Sequence, residues 1–264
     1  MEKLSLRLLT AVISIALTLA LTLLGNFTFF ILLYIFLFFS LFEFLSILKR
    51  AEFIIKPHLI LILNLIFFPL LILLPNIRIL LTFSLIFIFF IISLVYAEKR
   101  KGLNFVSCAL VSVFYLVIPS YLIFQLKVIY GIKEIFFLFG SVWVFDSFSY
   151  FTGIYFGKRK LWERVSPGKT IEGLIGGFFS TLVFSIIFAI LLRENLLKRL
   201  IPATFISLSA LAGDLWESMF KREMGVKDSS NFLPGHGGFL DRVDSLIFST
   251  YFYFLYLVVL YPLP

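Results

Sequence analysis

Apolar stretches of about twenty residues, separated by short clusters of charge, glycine or proline, repeat along the whole chain. About 20 mostly apolar residues in a helix cross the hydrocarbon layer of a bilayer. The pattern therefore predicts an all-α, polytopic integral membrane protein with about nine transmembrane helices, at 5–24, 27–48, 54–74, 77–96, 104–124, 133–156, 171–192, 200–220 and 239–260. Gly25-Asn26 makes the first boundary tight, and Pro57, Pro69 and Pro75 blur the third span. Lys3 and Arg7 ahead of the first apolar stretch resemble the start of a signal peptide. That stretch, Leu8 to Leu24, outruns an h-region of roughly 7–15 residues and has no cleavage motif behind it, so it reads as a retained span.

Composition agrees with lipid as the solvent. Hydrophobic residues make up 61% of the 264 and charged ones 14%, against about half and roughly a quarter in soluble domains. No gap between predicted spans is long enough for a soluble domain. A working division is residues 1–125, as scaffold, lipid access or dimer contacts, and residues 126–264, carrying the chemistry. The single cysteine, Cys108, lies in an apolar run and can form no internal disulfide.

The net charge of +8 is better explained by topology than by nucleic acid, which is not an expected partner. With nine spans, one face would hold 17 of the 23 basic residues, leaving Arg78, Lys127, Lys133, Arg193, Lys198 and Arg199 opposite. The positive-inside rule then puts the N-terminus in the cytoplasm and the C-terminus outside, in an inner or plasma membrane.

Carboxylates are spent unevenly. All five aspartates, Asp146, Asp214, Asp228, Asp241 and Asp244, follow residue 145. An acid within a span costs a few kcal/mol, so it usually faces a cavity and a partner. Asp146 lies inside the sixth span, where one hydrogen-bonded acid in a packing face is the bland alternative. Asp214, Glu217, Ser218 and Lys221 share one helical stripe, which suits a site or ordinary helix-end salt bridging equally well. Between Lys227 and Asp244 the chain runs Lys-Asp-Ser-Ser-Asn-Phe-Leu-Pro-Gly-His-Gly-Gly-Phe-Leu-Asp-Arg-Val-Asp. Its glycines, Gly237 and Gly238 among them, let backbone N–H groups approach an anion beside His236. Asp241 and Asp244 either cap the last helix or, with Asp214, offer oxygen ligands to a hard cation such as magnesium. The most basic loop, 157–170, adds Ser166, Lys169 and Thr170 as phosphate partners or caps. Its Gly-Lys-Thr lacks the rest of a P-loop and no strand precedes it. Glu43, His58, Asn64 and Gln125 read as packing or interface residues.

The run Ser218-x-x-Lys221-Arg222-x(4)-Lys227-Asp228-x(5)-Pro234-Gly235-His236-Gly237-Gly238-x-x-Asp241-Arg242-x-Asp244 resembles the signature of the phosphatidate cytidylyltransferases, or CDP-diacylglycerol synthases. A second block is similar: Asp146, Tyr150-Phe151, Gly153, Gly157-Lys158, Ser166-Pro167, Lys169-Thr170, Glu172-Gly173 and Gly176-Gly177. Together they cover roughly 143–244. The family often has lysine at Gly168 and alanine at Ser149. The resemblance implies CTP plus phosphatidate giving CDP-diacylglycerol and pyrophosphate, with Mg2+, room for a second cation, and a homodimer in some members. It points to Asp214, Asp241 and Asp244 as metal ligands, with Lys221 beside them in catalysis. Ser166, Lys169, Thr170, Ser218, Arg222, Lys227, His236, Gly237, Gly238, Arg242 and Asp146 are the expected substrate contacts. Two rivals stay open: a CTP-dependent polyprenol or lipid kinase, and an ion-coupled transporter using the intramembrane acids.

Overall fold

A computed structural model describes residues 2–54, 56–96, 101–230, 232 and 237–261, with side chains from residue 13 onward. Nine long helices follow one another among these residues: α1 (Glu2–Leu23), α2 (Asn26–Arg50), α3 (Pro57–Leu73), α4 (Arg78–Val95), α5 (Gly102–Tyr130), α6 (Ile132–Phe156), α7 (Ile171–Leu192), α8 (Leu196–Glu223) and α9 (Asp244–Leu260). Each overlaps one predicted span. Helix α5 is continuous but contains π turns at Val113–Val117 and Leu126–Tyr130, where the wider winding shifts the side-chain register.

The chain is an all-α, multi-pass membrane protein. Six segments are long and apolar enough to cross a bilayer: Asn26–Arg50, Pro75–Val95, Gly102–Tyr130, Ile132–Phe156, Ile171–Leu192 and Leu196–Glu223. The apolar helices Ile13–Leu23, Pro57–Leu73 and Asp244–Leu260 are shorter. Helix α9 starts later than the sequence pattern suggests because Leu240–Arg242 winds as a 3-10 turn. Side chains such as Phe83, Phe87, Leu94, Leu191 and Val259 stand exposed, as lipid-facing positions must.

One element departs from the helical expectation. Part of the basic loop folds into an antiparallel hairpin, β1 (Lys160–Trp162) with β2 (Ser166–Thr170), pairing Lys160 with Thr170 and Trp162 with Ser166. The intervening turn is closed by Val165 N–H donating to the Trp162 carbonyl at 3.3 Å.

Two compact units emerge: residues 1–124 with 224–241, and residues 125–223 with 242–264. In the first, α2 contributes a buried face of Phe29, Leu33, Leu37, Phe44 and Leu48, and buried Asn64 of α3 donates to Ser112 Oγ of α5 at 2.7 Å. In the second, α6 packs on α7, α7 on α8 and α8 on α9. Small residues permit the first of these contacts: a Cβ at Gly177 would collide with Ser149 Oγ, and one at Gly173 would meet the Ser149 carbonyl at 2.7 Å.

Candidate active site

Acidic side chains converge in the second unit. Near the end of α8, Ser218 Oγ donates to Asp214 Oδ1 at 3.4 Å, and Lys169 Nζ of β2 forms an ion pair with Asp214 Oδ2. One turn on, Lys221 Nζ pairs with Glu217 Oε2 at 2.6 Å, both residues buried. Asp244 opens α9, buried at 8% exposure, and accepts from Ser245 N–H at 2.7 Å. Its carboxyl lies within electrostatic reach of Asp214, Glu217 and Asp146. The contact is tight because α8 presents Gly213 to α9, where a Cβ would run into the Asp244 carbonyl oxygen. Asp146 of α6, exposed, accepts from Ser245 Oγ at 3.2 Å and feels the charges of Asp214, Lys169 and Arg242.

The cluster thus holds four carboxylates, Asp146, Asp214, Glu217 and Asp244, with two ammonium groups paired directly into it. Arg242 acts from an exposed position. Among the described residues no three His, Cys, Asp or Glu side chains form a ready-made metal cage. The donor chemistry still suits a hard cation that keeps waters and takes one or two carboxylates plus substrate phosphates. The Lys169 ammonium on Asp214 occupies the electrostatic role such a cation would fill.

Of the other expected contacts, Thr170 is a helix cap: its Oγ1 accepts from Gly173 N–H at 3.1 Å, starting α7. Ser166 sits on β2 opposite Trp162. Glu172, in the first turn of α7, accepts from the N–H groups of Lys158 and Arg159 at 3.0 and 3.1 Å and from Arg159 Nε at 3.2 Å. It anchors the basic loop. Arg222 is exposed at the end of α8.

The glycine loop belongs to the first unit. Asp241 Oδ2 accepts from Gly238 N–H at 2.8 Å and Ser229 N–H at 3.3 Å, folding the loop back on itself. Gly237 takes a φ of 80°, a left-handed conformation that favours glycine. Lys227 is exposed and lines a 490 Å³ cavity with Arg50, Val226, Asp228 and Ser230. His236, Pro234 and Gly235 lie outside the described residues, as do Lys99 and Arg100 of the charge pattern.

Three acids have partners that the sequence reading did not assign. Glu43, read from the sequence as a packing or interface residue, takes hydrogen bonds from both ends of the glycine loop. Glu172 is the loop anchor just described. Glu134 joins a buried pair: Arg199 Nη1 and Nη2 reach its two oxygens at 2.5 and 3.0 Å, so Arg199, 1% exposed, is no loop cation. Nothing in the spacing of Glu43 or Glu134 singles them out, whereas Glu172 stands within the second block of the resemblance.

The sequence is similar to known proteins over part of its length. The chain is 49% identical over 138 residues to a phosphatidate cytidylyltransferase of Haemophilus influenzae, covering 48% of each chain. It is 36% identical over 171 residues to the enzyme of that name from Thermotoga maritima, covering 60% of this chain and 63% of that one. The Bacillus subtilis phosphatidate cytidylyltransferase is 45% identical over 129 residues, 48% of each chain. The chain therefore spans about half to under two thirds of the length of these relatives. A model of the cytidylyltransferase family matches residues 5–260, nearly the whole sequence. On that match the chain belongs to the cytidylyltransferase family.

Proposed function

We propose that this protein transfers the cytidylyl group of CTP to phosphatidate, releasing pyrophosphate and forming CDP-diacylglycerol for phospholipid synthesis. The observation that carries the reading is the convergence of four carboxylates, Asp146, Asp214, Glu217 and Asp244, with Lys169 paired to Asp214, in a chain of this family. Asp214 and Asp244 would hold Mg2+, and Asp241 is the third candidate on sequence grounds. Its backbone N–H donors are of the kind that commonly orient metal-bound carboxylates. Carboxylate crowding leaves room for a second cation. When bound, the metal supplies charge neutralisation at the phosphates.

The chain's own residues do the rest. A phosphate oxygen of phosphatidate forms a bond to the α-phosphorus of CTP, and the bond from that phosphorus to the bridging oxygen of pyrophosphate breaks. The attacking phosphate is already anionic, so alignment matters more than a base. Lys169 is placed to exchange Asp214 for a phosphate oxygen. Lys221 holds Glu217 at the cluster, while Arg222, Arg242 and Lys227 are exposed cations able to meet phosphate. On sequence grounds the loop of His236, Gly237 and Gly238 is the segment expected to meet the triphosphate. Ser166, Ser218 and Thr170 support the hairpin and helix ends around it, and Asp146 polarises the cluster through Ser245.

In this reading the first 125 residues serve as scaffold and lipid access, all nine helices cross, and the N-terminus is cytoplasmic with the C-terminus outside. The site then faces the cytosol, CTP arrives from water and phosphatidate from the bilayer. A second copy of the chain is a further expected partner. The test is purified full chain with labelled CTP, phosphatidate and Mg2+. Liponucleotide and pyrophosphate in equal amounts support the reading; CDP with no liponucleotide marks a kinase, and substrate flux in liposomes without nucleotide marks a transporter.

A further inference from the structure

The glycine loop has an anchor outside its own sequence. Glu43 is buried at 3% exposure near the end of α2, in the same unit as the loop. Its Oε1 accepts from Ser230 Oγ at 2.6 Å and Phe239 N–H at 3.0 Å; its Oε2 accepts from Ser229 Oγ at 2.8 Å and Leu240 N–H at 2.9 Å. Each oxygen therefore takes one hydroxyl and one backbone N–H, and the two ends of the loop meet on one carboxylate. Gly238 makes the approach possible, because a Cβ there would collide with Glu43 Oε2 and Ser229 Oγ. Helix α2 also grips the loop through rings: Phe39 stacks on Phe239 at 4.7 Å and meets Phe232 at 4.6 Å, and Phe36 meets Phe239 edge-on at 5.5 Å.

We infer that Glu43 is a positioning residue for the glycine loop, fixing the path of the loop by tying its Phe239 and Leu240 N–H groups and its Ser229 and Ser230 hydroxyls to one carboxylate while the aromatic contacts hold the loop in place. The inference rests on the reading of the loop as the triphosphate cradle. Rings supply non-directional burial, and they would tolerate a rotation of the loop. Four converging hydrogen bonds do not. A carboxylate is needed because both of its oxygens accept, whereas an amide brings two donors to one end. The serine hydroxyl at that end can turn round, but the backbone N–H cannot. Glu43→Gln therefore sets donor against donor at Phe239 or Leu240 and leaves the rings untouched.

The test uses the full-length purified chain with Glu43→Gln, and with Ser230→Ala as a milder variant should the first not fold. Wild type is assayed first, so that absence of CTP turnover counts against the proposed function and not against Glu43. Hydrogen exchange of the amides at 237–241, which needs no activity, is then compared between variant and wild type. The expected result for Glu43→Gln is exchange at least tenfold faster there, unchanged exchange in α7, and a KM for CTP raised roughly tenfold with kcat within about threefold. Ser230→Ala should move both readouts the same way by roughly threefold. Unaltered exchange at 237–241, or a fall in kcat with KM for CTP unchanged, would overturn the assignment.

Discussion

Two charged clusters occupy different levels of the same helices in the second unit, and they are built on opposite principles. At one, Arg199 of α8 lies flat against Glu134 of α6, reaches Glu194 with Nε at 2.6 Å, and meets Tyr253 Oη of α9 at 3.0 Å. Lys133 completes it by donating to Glu194 at 2.7 Å, and the guanidinium stacks on Phe137 and Phe188. Two cations meet two carboxylates, and the fork of the guanidinium is matched bidentately. At the other, about 18 Å further along α6 by helix rise, the Asp146–Asp214–Glu217–Asp244 group carries more negative charge than its lysines answer. On the proposed function, the difference separates charge buried to join helices from charge placed to receive a ligand.

The sharpest way to break this comparison is to neutralise the open cluster. Asp244→Asn should cost activity about a thousandfold or more, on the order of 4 kcal/mol in transition-state stabilisation, while the melting temperature stays level or rises because repulsion is relieved. Turnover assays beside thermal unfolding in detergent check both halves. The mirror experiment is Arg199→Ala, which leaves buried Glu134 and half-buried Glu194 with Lys133 as the remaining ammonium nearby and should destabilise the fold by about 3–5 kcal/mol. Activity per folded molecule should survive, as measured by turnover normalised to the folded fraction. Smaller is Thr170→Ala, which removes the α7 cap at a cost of roughly 1 kcal/mol, read as a modest drop in melting temperature.

The smallest effect is in pH. Burial pushes the Glu194 carboxyl upward, but hydrogen bonds from Lys133 and Arg199 outweigh it and leave it below its ordinary value. A depressed carboxylate contributes stability above its unfolded pKa and loses it as pH falls through the folded one. Acidification below the usual glutamate range of about 4.3 should therefore weaken wild type, and Glu194→Gln should flatten that part of the melting-temperature profile.

How much of this was written in the sequence divides along the same line. Each of the nine apolar runs overlaps a helix among the described residues, six of them long and apolar enough to cross a bilayer, because length and hydrophobicity are local properties. The stripe of Asp214, Glu217, Ser218 and Lys221 was legible for the same reason: helical spacing places these residues together. Glu43 and Glu134 were not. Each meets partners far along the chain, Glu43 at 229–240 and Glu134 at 199 and 253, and no spacing rule reports a contact across such distances. The hairpin at 160–170 was hidden by proline, glycine and charge, which argue for a turn but leave the pairing of Lys160 with Thr170 to the glycine-lined approach of α6 and α7.

The proposed binding of a divalent cation at the acid cluster is decided by melting purified wild type and Asp244→Asn across a Mg2+ titration without nucleotide. A ligand that binds only the folded state raises the melting temperature with concentration. Wild type should show a saturable rise that the variant lacks. An equal rise in both, or none in wild type, would contradict the assignment of the cation to this cluster.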